Sequence, residues 1–206
     1  MTADVHGALW VNDLGRLMPP GEPPFGYAVA EIAEVGPPSR QLAVAAGLSE
    51  AEVHERLARG VRAYAIWSRP EGEIASWIWV SVGEEWQGPL RLMSWFADDE
   101  SYCWEAHTVQ AHRGRELFPY LLRVIGRRMA EEGRRWMWCG ILDSNVSSQR
   151  GCSAAGFRPI VHVRARLDPP PTRLAPLRRV SYADQRLVER ARAMFAARRE
   201  QVAEAS

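Results

Sequence analysis

The 206-residue chain contains no lysine, so all 26 of its basic residues are arginine. Without a lysine amine the chain cannot form an internal Schiff base, which excludes the usual pyridoxal-phosphate chemistry. Cysteine is also scarce, since Cys103, Cys139 and Cys152 form an odd set with no C-x-x-C pair. We therefore expect neither a disulfide framework nor a bound metal.

The sequence also lacks a strong net charge and a long apolar run. The formal net charge is +1, which does not favour a broad nucleic-acid-binding surface. No segment approaches the roughly 18 apolar residues of a membrane span. The first residues do not combine a basic start with an apolar core, as a secretory signal would. We expect a cytoplasmic protein that binds neither nucleic acid nor membrane.

Hydrophobic periodicity predicts a chain in which strands and helices are mixed, and Pro-rich or Gly-rich segments separate them. Residues 1–24 have the apolar spacing of a short helix, and Glu84-Glu85-Trp86 is predicted to be a loop. The expected strands are 25–35, 61–68, 73–82, 89–95, a run beginning at Tyr102, 135–142 and 159–167. The expected helices are 39–48, 49–60, one that ends at Gly133, one from Asn145 to Gly156, and 182–202.

The segment from Tyr102 to Leu122 carries the clearest functional pattern. A strand-like run is followed by the basic turn His112-Arg113-Gly114-Arg115 and then by an apolar pattern of helical period. The first N–H groups of a helix have no internal partners, and the helix dipole favours negative charge there. The guanidinium groups of Arg113 and Arg115 add N–H donors whose geometry suits bidentate binding of phosphate. A phosphate site and a solvated basic turn both fit this pattern.

In its order of elements the chain resembles the GNAT superfamily of acyl-CoA N-acyltransferases. In that family a strand is followed by a turn of the form R/Q-x-x-G-x-G/A, whose amides hold the pyrophosphate of coenzyme A. Residues 113–118 occupy the motif here, with Glu116 at its first glycine and Phe118 at its second. The resemblance implies acetyl-CoA or another acyl-CoA as co-substrate. It implies that the cofactor-binding residues of this first motif are Thr108, Val109, His112, Arg113, Gly114, Arg115, Glu116 and Leu117.

A second signature of the same family lies further along the chain. Asn145-Val146-Ser147-Ser148 followed by Gly156-Phe157 matches its N-x-x-A/S segment closed by Gly-Phe, with Asn145 and Ser148 beside the pantetheine arm. A tyrosine on this helix often protonates the departing thiolate in the family. Cys152 stands at that position here, which favours a packing role for the thiol and protonation by solvent or substrate.

The resemblance implies a mixed α/β (α+β) fold. Its central sheet would be mostly antiparallel, with six to seven strands flanked by helices and an additional C-terminal helix. Residues 1–168 would form the acyltransferase domain, and 169–206 a Pro-rich linker and amphipathic helix. Backbone N–H groups of 107–109 would polarise the thioester carbonyl. Simple strand alternation places Cys103, Glu105 and His107 on one face. Glu105 and His107 are the candidate catalytic residues, each as a general base.

Three alternatives remain open at this level. The expected activity is acyl transfer to a primary amine of a small molecule or peptide. The competing hypothesis is a catalytically inactive module that binds CoA or has only a structural role. The acidic segments Glu84-Glu85 and Asp98-Asp99-Glu100 could attract a cationic amine or could be solvated loops. An apolar stripe in the last helix would dock on its own domain or across a homodimer; it consists of Leu187, Ala191, Met194 and Phe195.

Overall fold

The structure is a computed structural model that describes residues 4–69, 71–167 and 173–196. Eleven strands and five α-helices are assigned in this part of the chain. The strands are β1 (Asp4–Asp13), β2 (Tyr27–Ile32), β3 (Arg62–Ser68), β4 (Ile74–Ser81), β5 (Glu84–Gln87), β6 (Leu92–Trp95), β7 (Glu100–Thr108), β8 (Trp136–Leu142), β9 (Arg158–Arg166), β10 (Arg173–Leu174) and β11 (Arg178–Arg179). The helices are α1 (Pro37–Ala46), α2 (Glu50–Ala58), α3 (Leu117–Glu131), α4 (Val146–Ala154) and α5 (Gln185–Ala193).

Nine of the strands form one sheet in the order β10-β9-β1-β8-β7-β4-β3-β2, with β11 also paired to β9. Among the described strands of this sheet, only β7 and β8 run parallel. The prediction of a mixed, mostly antiparallel sheet flanked by helices is confirmed. The sheet is wider than the six to seven strands expected, because β1 and the two-residue strands β10 and β11 were not predicted.

The prediction of a short helix near the N-terminus was wrong. Residues 4–13 form strand β1, which lies between β8 and β9 and pairs antiparallel with both. Helical spacing misled here because β1 is covered on both faces, so six consecutive residues from Gly7 to Asn12 are buried. A strand buried on both faces loses its alternation of apolar and polar residues.

Helices cover both faces of the sheet. Helices α3 and α4 cover one face, where the largest core cluster includes Leu121, Ile125 and Met137. Helices α1 and α2 cover the opposite face over β2, β3 and β4. The capping box at the start of α2 is confirmed, since Ser49 and Glu52 bond reciprocally to each other's backbone N–H groups.

The rest of that opposite face is covered by α5 and by the small β5–β6 sheet. Leu187, Ala191 and Met194 of α5 are buried against the sheet, and Phe195 packs beside them. The predicted apolar stripe therefore docks on its own domain. The expected linker Pro169-Pro170-Pro171 lies outside the described residues, as do the expected helix residues 197–202. No described helix has the length and apolarity needed to cross a membrane.

The region 84–95 corrects two further predictions. Glu84 to Gln87 form strand β5 instead of a loop, and β6 pairs with β5 in a separate two-stranded sheet instead of joining the edge of the main one. The acidic turn before β7 is also occupied, because Asp99 and Glu100 both form ion pairs with Arg190 of α5. Asp99 and Glu100 thus hold the C-terminal helix in place, and their carboxylates are paired with an arginine of this chain.

Candidate active site

The sheet opens between the two parallel strands. Strands β7 and β8 pair from Glu100 opposite Trp136 to Cys103 opposite Cys139, and the ladder between them stops there. Beyond this point β7 stays paired with β4, and β8 stays paired with β1. The two strands therefore diverge, and a gap forms in the middle of the sheet.

A bulge in β7 faces this gap. Trp79 lies opposite Trp104, and Trp77 lies opposite His107. Between these two pairs β7 advances by three residues and β4 by two, so β7 contains one extra residue, which is a β-bulge. Glu105 lies within the bulge and has a φ of +42°. The predicted alternation was wrong for this reason: Cys103 packs on the α3 side, whereas Glu105 binds Arg56 of α2 on the other side.

A cavity of about 490 Å³ occupies the gap and reaches both faces of the sheet. On the α3 and α4 side it is lined by Phe118, Leu122, Asn145, Ser148 and Cys152, and on the opposite side by residues 85–90, Arg56 and Arg59. Its middle is formed by strand residues on both sides of the gap, including Cys103, Trp104, Glu105, Ala106, Gly140 and Ile141. Its size is that of a small-molecule site.

The basic turn lies between β7 and α3, as predicted. Gly114 has a φ of +75° and Glu116 one of +56°, so the chain turns through two left-handed residues before the helix. Within the described part of the chain, no backbone N–H from Gly114 to Phe118 donates a hydrogen bond. These free donors at the start of a 15-residue helix form an arrangement suited to an anion.

Tyr27 orders the side chains around this turn, a role that the sequence did not suggest. Its hydroxyl accepts a hydrogen bond from Arg115 Nη1 at 2.6 Å and lies 2.9 Å from His112 Nδ1. The Arg115 guanidinium also lies over the Tyr27 ring, 6.0 Å from its centroid. Arg113 donates through Nε to the carbonyl of Thr108 at 3.0 Å. The guanidinium groups of Arg113 and Arg115, both predicted to bind phosphate, are thus each held by a hydrogen bond within the chain.

Other predicted cofactor residues have different surroundings. The N–H of Val109 donates to the carbonyl of Ala75 and is not available to a thioester, and the Thr108 hydroxyl lies 2.9 Å from that of Ser76. Neither residue lines the cavity. The β7 residues that line the cavity are Tyr102 to Ala106, which include the bulge and end before His107. Asn145 caps α4 by accepting from the N–H of Ser148 at 3.1 Å.

The two candidate bases differ in position. Glu105 lines the cavity and accepts from Arg56 Nη1, with the two atoms 2.5 Å apart. His107 does not line it and stacks on Trp77 with ring centroids 4.8 Å apart. Partial burial, together with the charge of Arg113, lowers the pKa of His107 and favours a neutral ring.

The three cysteines are buried around the cavity wall. Cys139 and Cys152 have their Sγ atoms 3.9 Å apart and form no disulfide. Burial raises the pKa of Cys103 and of Cys139, which keeps both as thiols. Among the described residues, no group of three His, Cys, Asp or Glu side chains is placed to hold a metal ion.

The whole fold was compared with solved structures. A GCN5-related N-acetyltransferase from Kribbella flavida aligns over 86% of this chain and 63% of its own, with 18% identity and a TM-score of 0.57. The chain has the GNAT fold. A tandem GNAT protein from the clavulanic acid biosynthesis pathway aligns over 81% of this chain and 55% of its own, with 19% identity and a TM-score of 0.54.

A GNAT-family acetyltransferase from Colwellia psychrerythraea gives the same result, with 14% identity, a TM-score of 0.52 and coverage of 78% of this chain and 55% of its own. The chain spans 55% to 63% of the length of these three proteins. No protein-family model and no curated protein sequence matches the chain. The GNAT fold is thus established from three-dimensional structure.

Proposed function

We propose that the chain is an N-acyltransferase that moves an acetyl or other acyl group from acyl-CoA to a primary amine. Two observations carry this proposal: backbone N–H groups from Gly114 to Phe118 donate to no acceptor among the described residues, and Phe118, at the end of this run, lines the cavity between the diverging strands. A pyrophosphate on the turn would direct the pantetheine arm along Phe118, Asn145 and Ser148 towards β7 and β8.

The reaction needs a neutral amine, a polarised thioester and a leaving thiol. The amine nitrogen attacks the carbonyl carbon, the C–N bond forms, and the C–S bond breaks as the electron pair returns to sulfur. The ammonium must first lose a proton, for which Glu105 is the proposed acceptor, directly or through one water. Backbone N–H groups of the bulge are the proposed donors to the carbonyl oxygen. The attacking nitrogen carries a surplus proton once the C–N bond has formed, and the thiolate takes its proton from that nitrogen or from solvent.

The competing function is a CoA-binding module without turnover. It is favoured by the carboxylate of Glu116 at the anion site and by a thiol, Cys152, in place of a phenol. The proposal is tested first by melting the protein with CoA, acetyl-CoA and longer acyl-CoAs. A ligand that binds only the folded state adds RT ln(1 + [L]/Kd) to the free energy of unfolding and so raises the melting temperature. Release of free CoA thiol is then measured with a panel of amines.

A matched pair of arginine variants separates specific binding from a general charge effect. Arg115→Gln removes a guanidinium group at the turn. Arg127→Gln instead removes an exposed guanidinium that pairs with Glu131 on α3. We expect the first variant to lose most of the acyl-CoA shift and the second to keep it. No shift with any acyl-CoA would refute the proposal, and a shift without thiol release from any amine would establish the module instead.

A further inference from the structure

Strand β5 presents two buried polar side chains to the cavity on the side away from α3. Glu85 is 3% exposed and Gln87 is 7% exposed, whereas Glu84 and Trp86 on the alternate face of the strand are exposed. Both buried side chains line the cavity. Residues two apart in a strand are about 6 to 7 Å apart along its axis. A carboxylate and a neutral amide thus project from the same face of β5, from neighbouring positions on that face.

Gln87 has a hydrogen-bond donor without a partner. The Tyr102 hydroxyl donates to Gln87 Oε1 with the two oxygens 2.5 Å apart, which fixes the orientation of the amide. Gln87 Nε2 is buried and bonds to no atom of the described residues. Burying an unpaired donor is costly, so this amide is complementary to an acceptor oxygen of a ligand in the cavity.

Glu85 is held in place from three directions. Ser81 donates its hydroxyl to Oε2, the N–H of Trp86 donates to Oε1 at 3.0 Å, and Arg59 Nη2 lies 3.8 Å from Oε1. The Ser81 hydroxyl in turn accepts from Trp104 Nε1 at 2.8 Å. A carboxylate offers about four acceptor positions. One position therefore remains for a donor arriving through the cavity.

The charges around this end of the cavity balance. Arg56 in the last turn of α2 forms an ion pair with Glu105, and Arg59, which directly follows α2, forms one with Glu85. A ligand of zero net charge leaves this balance intact. A zwitterion in addition provides an ammonium for Glu85 and an acceptor oxygen for Gln87. In an α-amino acid the ammonium nitrogen and the carboxylate carbon are only two bonds apart, which suits two neighbouring side chains on one face of a strand.

The remaining walls are apolar. Val5, Leu9, Leu90 and Val163 line the same region, and the cavity of about 490 Å³ must also hold the end of the pantetheine arm. We propose that the acyl acceptor is an α-amino acid with an apolar side chain, its ammonium on Glu85 and its carboxylate on Gln87. This inference rests on the acyl transfer proposed above and adds the class of acceptor. It concerns binding alone, and proton transfer remains with Glu105.

The test compares acceptors that differ in one group. CoA release from acetyl-CoA is measured with each of the twenty common amino acids, and then with leucine, leucinamide and 3-methylbutylamine. We expect kcat/KM for leucine to exceed that for 3-methylbutylamine by about tenfold or more, because the amine leaves the Gln87 donor unpaired. Gln87→Leu should remove this preference by lowering the leucine value, with little change for 3-methylbutylamine.

The matched control is Gln185→Leu, which alters an exposed glutamine on α5 that does not line the cavity. It should keep the preference for leucine. The proposed function does not specify which acyl group the donor carries. Binding of the acceptor is therefore also measured without turnover, by titrating leucine into the protein saturated with CoA. Wild type should bind, and Gln87→Leu should bind about tenfold more weakly. Both variants should melt within a few degrees of wild type.

The outcomes separate this inference from the proposed function. Equal turnover of leucine and 3-methylbutylamine would overturn the amino-acid acceptor and leave acyl transfer standing. Binding of CoA with neither turnover nor binding of any of the twenty amino acids would overturn it as well. Failure of every acyl-CoA to bind would refute the proposed function itself, and this inference with it.

Discussion

The guanidinium of Arg56 on α2 donates to the carboxylate of Glu105 on β7, with Nη1 and Oε2 2.5 Å apart. The same guanidinium lies over the rings of Trp79 and Trp104, at 4.9 and 4.7 Å from their centroids. The two indoles stack across the β4–β7 pair with centroids 6.0 Å apart. The bulge that carries Glu105 is thus tied to the helix above it, and the carboxylate has a defined position at the cavity.

We predict that Glu105→Gln lowers kcat for amine acylation by about 100-fold, since loss of a general base typically costs 10² to 10⁴. The affinity for acyl-CoA should not change, because the proposed donor site lies on the α3 side. Arg56→Met keeps the packing on the tryptophans but frees the carboxylate, and it should cost about tenfold in kcat. The measurement is steady-state kinetics of CoA release with both substrates varied.

The control for this pair is Glu55→Gln, which changes an exposed carboxylate on the same helix and should leave kcat as in wild type. Glu105→Gln with wild-type kcat would remove Glu105 from the mechanism and leave Glu85 as the carboxylate at the cavity to test.

The sequence predicted most of the elements and the position of the basic turn. Alternating or continuous apolar runs located β3, β4, β8 and β9, and the basic turn was expected before α3, where the structure has it. These features depend on local pattern, which a sequence displays directly.

The features that were missed depend on packing between distant segments. β1 is buried on both faces, so its pattern does not mark it as a strand, and its place between β8 and β9 depends on residues more than 120 positions away. The extra residue in β7 has no signal in the sequence, and it moved Glu105 to the opposite face from Cys103. Glu85 and Gln87 were not predicted as a pair because β5 has only four residues.

Glu116 combines a left-handed backbone with a carboxylate at the anion site. Its φ of +56° is a conformation that costs a non-glycine residue about 1–2 kcal/mol. We predict that Glu116→Gly does not destabilise the fold and tightens acyl-CoA binding about threefold, because a negative charge leaves the helix N-terminus. Titration calorimetry with acetyl-CoA and thermal melting measure the two effects.

Glu116→Gln separates charge from backbone conformation. Glu116→Gln should raise the affinity for acyl-CoA but should not raise stability, because glutamine is as strained as glutamate at a positive φ. If both variants bind acyl-CoA as weakly as wild type or more weakly, the carboxylate does not oppose the phosphates, and the turn holds them elsewhere.

Arg62 connects β3 to the end of α3 through Glu132. Its Nη1 and Nη2 atoms donate to the two carboxylate oxygens at 2.7 and 2.9 Å, and both side chains are less than a third exposed. The hydrogen bond from Arg62 lowers the pKa of Glu132 below its usual 4.5. The pair therefore stabilises the fold above about pH 4.5, and this contribution is lost as the pH falls through the lowered pKa.

We predict that Glu132→Gln lowers the free energy of unfolding by about 1 kcal/mol at pH 7, and that the difference from wild type shrinks below pH 4.5. Urea unfolding at a series of pH values measures it. Glu131→Gln is the control, because Glu131 is half exposed and forms an i, i+4 ion pair with Arg127 on the surface of α3. If the difference in free energy of unfolding between Glu132→Gln and wild type stays constant from pH 7 to pH 3, the charge of Glu132 does not contribute to stability.

Gly7 lies where β1 passes closest to β8. A Cβ atom at this position would be 2.5 Å from the carbonyl oxygen of Ile141, and backbone atoms cannot move aside as a side chain can. We predict that Gly7→Ala lowers the free energy of unfolding by about 1–3 kcal/mol, since overpacking forces the two strands apart. Because Gly7 also lines the cavity, acyl transfer should fall as well.

Gly88→Ala is the matched control, since a Cβ there would meet no atom within 4 Å. It should melt within about one degree of wild type, whereas Gly7→Ala should melt about 3–10 °C lower. Equal melting of the two variants would mean that Gly7 does not face Ile141. The N-terminal strand would then not lie between β8 and β9, and the wall that it contributes to the cavity would have to come from another segment.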